Sequence, residues 1–204
     1  DLNPEGPENV IITIDQISCD GSVMSDTIPI LDYVPMTLDP MSDFTVCHGE
    51  EVTLLSLASE GYPPYTYIWN APGGNDSILT LIPPVGNNQY IVQVSDLCLN
   101  PLSDTATVLV HPTPLAYAGP DTTIANGTSI FLHGIGSGGY SPYSYSWTSS
   151  PPGFNSSEQD PSTGNVFFST IFQLEVTDIA SSCTSMQDPV IVAVEGGPLS
   201  VNPV

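Results

Sequence analysis

Gly61-Tyr-Pro-Pro-Tyr-Thr-Tyr-Ile-Trp69 returns as Gly139-Tyr-Ser-Pro-Tyr-Ser-Tyr-Ser-Trp147, 78 positions further along the chain. In the second copy Tyr143, Tyr145 and Trp147 alternate with Ser144 and Ser146. A period of two is that of a strand with one face buried and one in water. The aromatics therefore share the inner face, and the serines mark the outer one. Trp69 and Trp147 are predicted to fill two cores, with Tyr65, Tyr67, Tyr143 and Tyr145 beside them. Tyr62 and Tyr140, in the turn that opens each copy, are better placed for exposed contacts.

Working outward, another block repeats at the same offset. Val46-Cys-His-Gly-Glu-Glu-Val-Thr-Leu54 corresponds to Ile124-Ala-Asn-Gly-Thr-Ser-Ile-Phe-Leu132. A third block occurs three times, as Val10–Ile14, Tyr90–Val94 and Phe172–Val176. Each is followed by a loop bearing a cysteine and then by another strand: Thr27–Leu31, Thr105–Val110 and Val190–Val194. The phase of the copies divides the chain into the last strands of a truncated repeat (1–35), a complete repeat (36–114), a second complete repeat (115–198) and the start of another repeat or a linker (199–204). Short alternating strands with turn residues between them predict an all-β chain of tandem immunoglobulin-like antiparallel sandwiches, the first incomplete. Its orphan strands, Val10–Ile14 and Thr27–Leu31, are expected to lack partners within the chain and to recruit them from elsewhere.

Composition narrows the function. The 204 residues include no lysine or arginine and 22 acidic residues, for a formal charge of −22. Without fixed cations the chain cannot neutralise phosphates, which excludes nucleic acid as a partner, and it has no basic patch for an anionic membrane. Trypsin-like proteases find no site. The acidity is not that of a disordered chain, since 40% of residues are apolar and only 11% charged. The 21 prolines and 17 glycines suit many turns rather than long helices. No apolar run approaches a membrane span and no leader is evident, so direct membrane insertion is not expected and the chain reads as a mature secreted protein or a piece of one. Four cysteines without a C-x-x-C pair point to disulfides in an oxidising compartment.

The stretch Ala118-Gly-Pro-Asp-Thr-Thr-Ile124, then Gly127, Leu132, Tyr143–Trp147 and Leu174-Glu-Val-Thr-Asp178 with Cys183, resembles the PKD-like, immunoglobulin-like repeats of large surface adhesins in gliding bacteria that use type IX secretion. The resemblance covers essentially the whole chain. It implies an extracellular, cell-surface or secreted protein. It departs from that pattern at Ala125, where a cysteine is expected before Gly127, and in the missing lysine and arginine. Asp26-Thr27, Asp76-Ser77, Asp104-Thr105 and Asp121-Thr122, each followed by an apolar residue or threonine, are similar to the O-glycan acceptors of that bacterial group. The resemblance thus implies glycans on Thr27, Ser77, Thr105 and Thr122. Asn75, Asn126 and Asn155 also begin N-x-Ser/Thr sequons.

The repeat alignment predicts a Cys47–Cys98 disulfide inside one sandwich. Cys19 and Cys183 occupy the place of Cys98 in their own repeats. The partner of Cys19 is expected upstream, and Cys183, facing Ala125 where a partner would stand, is expected to be a free buried thiol or to bond another chain. No cofactor is required; calcium is the candidate an acidic extracellular array would take, through Asp15, Asp20, Asp39, Asp43 or Asp121. His48, His111 and His133 fall in no catalytic pattern, Glu50 and Glu51 would point to opposite faces of a strand, and no cationic group is present to stabilise an oxyanion. The expected role is a non-catalytic structural segment of an extracellular adhesin, stalk or filament, meeting copies of itself or neighbouring repeats end to end. The alternative is a module that binds a surface glycan or a protein on behalf of a secreted enzyme.

Overall fold

A computed structural model describes residues 34–72, 74–98 and 100–196, together with the backbone of two strands before them, 8–17 and 23–30. Those two are β1 (Glu8–Ile17) and β2 (Val23–Ile30). Then follow β3 (Met36–Leu38), β4 (Phe44–Cys47), β5 (Val52–Leu55), β6 (Ala58–Glu60), β7 (Thr66–Trp69), β8 (Ile78–Leu81), β9 (Gly86–Ser95) and β10 (Leu102–His111). The remaining strands are β11 (Pro114–Tyr117), β12 (Thr122–Ala125), β13 (Ile135–Gly138), β14 (Tyr143–Ser150), β15 (Asn155–Ser156), β16 (Thr170–Asp178) and β17 (Asp188–Glu195).

The architecture is all-β, and the two complete repeats share one strand plan. One layer of the first is the sheet β4-β10-β9-β7; its counterpart in the second is β12-β17-β16-β14-β15. The other layer is made of β3-β6 and β5-β8 in the first repeat. In the second it is β11-β13 with the bridges Thr128–Val166 and Phe131–Ser162. In both, a short strand at the edge runs parallel to the last strand: β4 beside β10 with Cys47 opposite His111, and β12 beside β17 with Ala125 opposite Glu195. These are tandem immunoglobulin-like β-sandwiches. The orphan segments pair with each other, as an antiparallel hairpin from Glu8–Ile30 to Ile17–Val23, which corrects the expectation that they lack partners within the chain. Sequential antiparallel strands close a hairpin at little entropic cost, so local pairing wins.

By compactness the chain divides into two units: one runs through Ser42 and takes in Thr53–Leu79 and Tyr90–Ala106, and the other takes in Asp43–Val52 and Thr80–Gln89 and continues from Thr107. In the first unit β7 pairs with β9, placing Trp69 opposite Val92. Alternation along β9 sends Tyr90, Val92 and Val94 inward with Leu54, Trp69 and Leu79, while Ile91 and Gln93 face out. In the second unit β14 pairs with β16, placing Trp147 opposite Leu174. Trp147, Phe172, Leu174, Val176, Val190 and Val192 form its core with Ala118, Leu132 and Val166. Tyr143 and Tyr145 pack half-buried against that core, and Ser144 and Ser146 are exposed, as the alternation requires.

Two buried indoles need two partners for their N–H groups. Trp69 Nε1 donates to the Asp76 carbonyl at 2.9 Å, and Trp147 Nε1 to the Gln159 carbonyl at 3.3 Å. Among the described residues no helix is long and apolar enough to cross a membrane.

Candidate functional site

The two sandwiches repeat a set of carboxylate-to-backbone bonds. Asp96 Oδ2 accepts the Tyr62 N–H at 2.9 Å, and Asp178 Oδ2 accepts the Tyr140 N–H at 2.5 Å. Asp43 Oδ1 accepts the Thr107 N–H, and Asp121 Oδ1 accepts the Ile191 N–H, both at 2.7 Å. Asp104 Oδ2 takes the Met41 N–H at 2.7 Å, and Asp188 Oδ2 the Ala118 N–H at 2.8 Å. In a chain with no lysine or arginine, backbone amides fill the role of cations and satisfy groups that the ladders leave open. Sequence reasoning took two of these aspartates, Asp43 and Asp121, for calcium candidates and missed Asp96, Asp104, Asp178 and Asp188. The signal was present, because these pairs stand at equivalent positions of the two repeats.

Of the calcium candidates, Asp43 and Asp121 each have one oxygen on a strand amide. Asp39 is exposed. Asp15 lies in β1, whose side chains, like Asp20, are outside the described residues. Among the described residues no three His, Cys, Asp or Glu side chains converge as a metal site. His133 Nδ1 stands 3.5 Å from Asp160 Oδ1, both well exposed.

The most constrained cluster surrounds Asp178 and the turn that follows it. Asp178 is fully buried. Burial by itself raises its carboxyl, but the N–H groups of Tyr140, Ser181 and Ala180 and the Ser181 hydroxyl outweigh that and hold it below the usual carboxylate value. Gly139, at φ +57°, brings the backbone so close that a Cβ there would lie 3.1 Å from Asp178 Oδ2; Gly61, at φ +62°, does the same at 2.6 Å from Asp96 Oδ2. The turn closes with the Asp178 N–H on the Cys183 carbonyl at 2.9 Å and the Ser185 N–H on the Val176 carbonyl at 2.8 Å.

Cys183, buried in that turn, is disulfide-bonded to Cys47 at the end of β4, with 5.7 Å between Cα atoms. Beside it, the His48 N–H bonds the His111 carbonyl at 2.8 Å, and the His111 ring meets Tyr140 edge-on at 5.6 Å. The expected Cys47–Cys98 bond is therefore replaced by Cys47–Cys183, and Cys98 is a free, exposed thiol. Cys183 is neither free nor external. The parallel pairing of β4 and β10 explains the correction. It puts Cys47 opposite His111, the last residue of β10, whereas Cys98 lies just before its first, Leu102. Nine residues of strand span roughly 30 Å, far beyond the reach of a disulfide. Cys19 lies outside the described residues.

Of the acceptor positions, Thr105 and Thr122 are exposed on β10 and β12, and Ser77 is half-buried. Ser77 donates its N–H to Asp76 Oδ1 and Thr105 its N–H to Asp104 Oδ1, each at 2.7 Å. Thr27 lies in β2, whose side chains are not described. Tyr140 is 49% exposed, in keeping with its turn position.

A feature the sequence did not disclose is a cavity of about 240 Å³ in the second unit, lined by Phe154, Phe167, Phe168 and Phe172 with Pro151 and Asn165 among others. Phe167 and Phe168 are exposed, and Phe154 packs edge-on against Phe172 at 5.2 Å. The hydroxyls at its wall are already engaged: Ser149 Oγ donates to the Pro151 carbonyl and Thr170 Oγ1 to the Phe168 carbonyl.

No protein-family model matches the chain, and no curated protein sequence does. Solved structures with similar folds include the I-band fragment I67-I69 from titin, 17% identical over 81% of this chain and 66% of the fragment, with a TM-score of 0.43. Drosophila OTK extracellular domains 3-5 are 12% identical over 86% of this chain and 67% of theirs, with a TM-score of 0.47. Sidekick-1 immunoglobulin domains 1-4 are 14% identical over 94% of this chain and 58% of theirs, with a TM-score of 0.42. The chain thus spans just under two thirds of the titin fragment's length.

Proposed function

We propose that the chain is a non-catalytic structural segment of an extracellular surface adhesin, stalk or filament, built of immunoglobulin-like repeats joined end to end and divided at 36–114 and 115–198. The observation that carries this reading is the Cys47–Cys183 bond, which ties the strand end of one sequence repeat to a turn of the next. Both cysteines fall in the second compact unit, so the bond holds a segment of one sequence repeat in the same unit as the next repeat. A disulfide also belongs to an oxidising, extracellular compartment. The chain's −22 charge opposes collapse of such an array at low salt. Glycans on exposed Thr105 and Thr122 and a type IX route to the surface belong to the same reading, by resemblance to the gliding-bacterial adhesins. So does assembly with copies of itself.

Negative-stain imaging of the native protein tests it. Beads in line, or ordered filaments, are the expected result; compact single particles would overturn the reading.

One observation favours the second reading, a binding module for a glycan or protein. Phe167 and Phe168 are 54% and 77% exposed at the mouth of the phenylalanine-lined cavity. Its test is a glycan array probed with the wild-type chain and the Phe168→Ala variant. Binding that the variant loses would favour the module.

A further inference from the structure

One layer of the second sandwich turns an uncharged, apolar face to solvent. β11 and β13 pair with Leu115 opposite Ser137 and Tyr117 opposite Ile135. Ahead of β13, Leu132 and Gly134 are buried while Phe131, His133 and Ile135 are exposed, so the period of two runs on along the chain. Leu115, Tyr117, Phe131 and Ile135 are each between 51% and 66% exposed. No carboxylate stands among them. From Thr105 to Ser157 the chain carries a single acidic residue, Asp121, which has one oxygen on the Ile191 amide. Asp160, beside His133, has its Oδ1 on the Gly134 N–H at 3.2 Å and 3.5 Å from His133 Nδ1. Exposed apolar groups gathered on one face mark a contact surface.

The first repeat has the same face in another dress. There Thr37 stands opposite Ser59, and the Asp39 N–H bonds the Leu57 carbonyl at 3.0 Å. Thr37 and Asp39 are thus the equivalents of Leu115 and Tyr117, at the 78-residue offset. Burial alternates in step, with Glu51, Thr53, Leu55 and Leu57 exposed between buried Val52, Leu54 and Ser56. At the aligned positions the second repeat has Leu115 for Thr37, Tyr117 for Asp39, Ser129 for Glu51 and Phe131 for Thr53. Two carboxylates are gone and three large apolar groups stand in their row, on a strand plan that accepts either set. The fold does not require the apolar face, so a partner that covers it is the remaining reason for it.

The missing carboxylates identify that partner. A protein rich in lysine or arginine would be drawn to carboxylates, of which the chain has 22. A copy of this chain brings no lysine or arginine, so a carboxylate caught between two copies would lose its water and find no fixed cation. A face without carboxylates lets two such anions meet. We propose that the outer face of β11 and β13, with Phe131, is where a second copy of the chain docks, like face to like face about a two-fold axis. Two short strands and the run leading into β13 present roughly 400 Å² on each copy, about half of what each partner gives to a standard interface. A single contact is therefore weak. The inference deepens the proposed array and rests on it for its effect, because copies held in line make many such contacts at once and lie side by side far more firmly than one pair.

The test is analytical sedimentation of the 204-residue chain carrying Cys98→Ser, in EDTA. The substitution removes the free thiol as a route to dimers, and EDTA removes bridging divalent ions. From about ten micromolar to about one millimolar, the span of weak contacts, a reversible monomer–dimer equilibrium is expected. Added salt should strengthen it by screening the repulsion between the copies. The variant Leu115→Thr, Tyr117→Asp, Phe131→Thr gives the second repeat the residues of the first. It should raise the dissociation constant at least about tenfold, with the melting temperature little changed. If that variant does not fold, Tyr117→Asp alone carries the same test. Hydrogen exchange of the unaltered face, slower over Phe131–Ser137 at the higher concentration, needs no variant there. A chain that stays monomeric throughout, a dimer indifferent to the face variants or weakened by salt, or one broken instead by Phe168→Ala overturns the inference. Imaging of native protein keeps the two readings apart. Beaded chains lying singly sink this contact and leave the array standing, whereas compact particles sink the array and leave a dimer measured in solution untouched.

Discussion

Gly139 and Asp178 illustrate how the fold is secured residue by residue without lysine or arginine. The glycine takes a left-handed φ and lets the Tyr140 amide reach a buried carboxylate. Alanine there meets both a strained backbone and the carboxylate oxygen, so Gly139→Ala should cost at least the roughly 1–2 kcal/mol of a left-handed residue; equilibrium denaturation in urea measures it. Asp178 contributes through its charge. Its carboxyl is held below the usual value when folded, so its stabilisation is present above the unfolded carboxylate value and is lost as pH falls through the folded one. Asp178→Asn should lower the melting temperature at neutral pH, because an amide NH₂ must face an N–H donor. The gap to wild type should narrow on acidification below the ordinary carboxylate range. A constant gap across pH would contradict the assignment.

Among the strands, the short parallel edge pair sets the character of each sandwich. β12 is only four residues long, and Asp121 just before it takes the Ile191 amide of β17. Asp121→Ala leaves that amide without its partner and should cost about 1 kcal/mol. Hydrogen exchange at Ile191 should quicken while the β14–β16 amides stay protected. The centre of the sheet answers differently. Trp147→Ala empties a fully buried site among Leu174, Phe172 and Val192, and a loss of about 3–5 kcal/mol is expected by denaturation.

Over the whole molecule, one disulfide and one net charge dominate. Cys47 and Cys183 are 136 positions apart, so their bond restricts a long loop of the unfolded chain. The chain-entropy model gives about 5 kcal/mol for it. Reduction, or Cys183→Ser, should therefore lower thermal stability strongly, whereas Cys98→Ser in the isolated chain should change it little; calorimetry of the two variants decides the point. The −22 charge is self-repulsive, and screening falls to about 10 Å at 0.1 M salt. The melting temperature should rise as sodium chloride is added from a few millimolar, and a fall would show that charge repulsion is not the term being screened.

The alternation of Tyr143, Tyr145 and Trp147 with serines, and its recurrence around Tyr65–Trp69, were enough to determine an all-β repeat with two tryptophan cores. Period-two burial is a local property, and a strand carries it in its own residues. The strands β9, β10, β16 and β17 were legible for the same reason. What the tertiary structure alone decided was which distant groups meet. A sequence shows that Cys47 stands near a strand end, but not that the strand lies parallel to β10; that single choice of direction moves the cysteine from the Cys98 turn to the Cys183 turn. The same holds for the acids. Asp43 and Asp121 read as metal-ligand candidates, and Asp96 and Asp178 were given no role, because their partners are backbone amides 34 to 70 positions away, groups every residue carries and no sequence pattern marks. Long-range pairing of uniform backbone groups is fixed by the packing of whole strands, and only the folded chain reveals it.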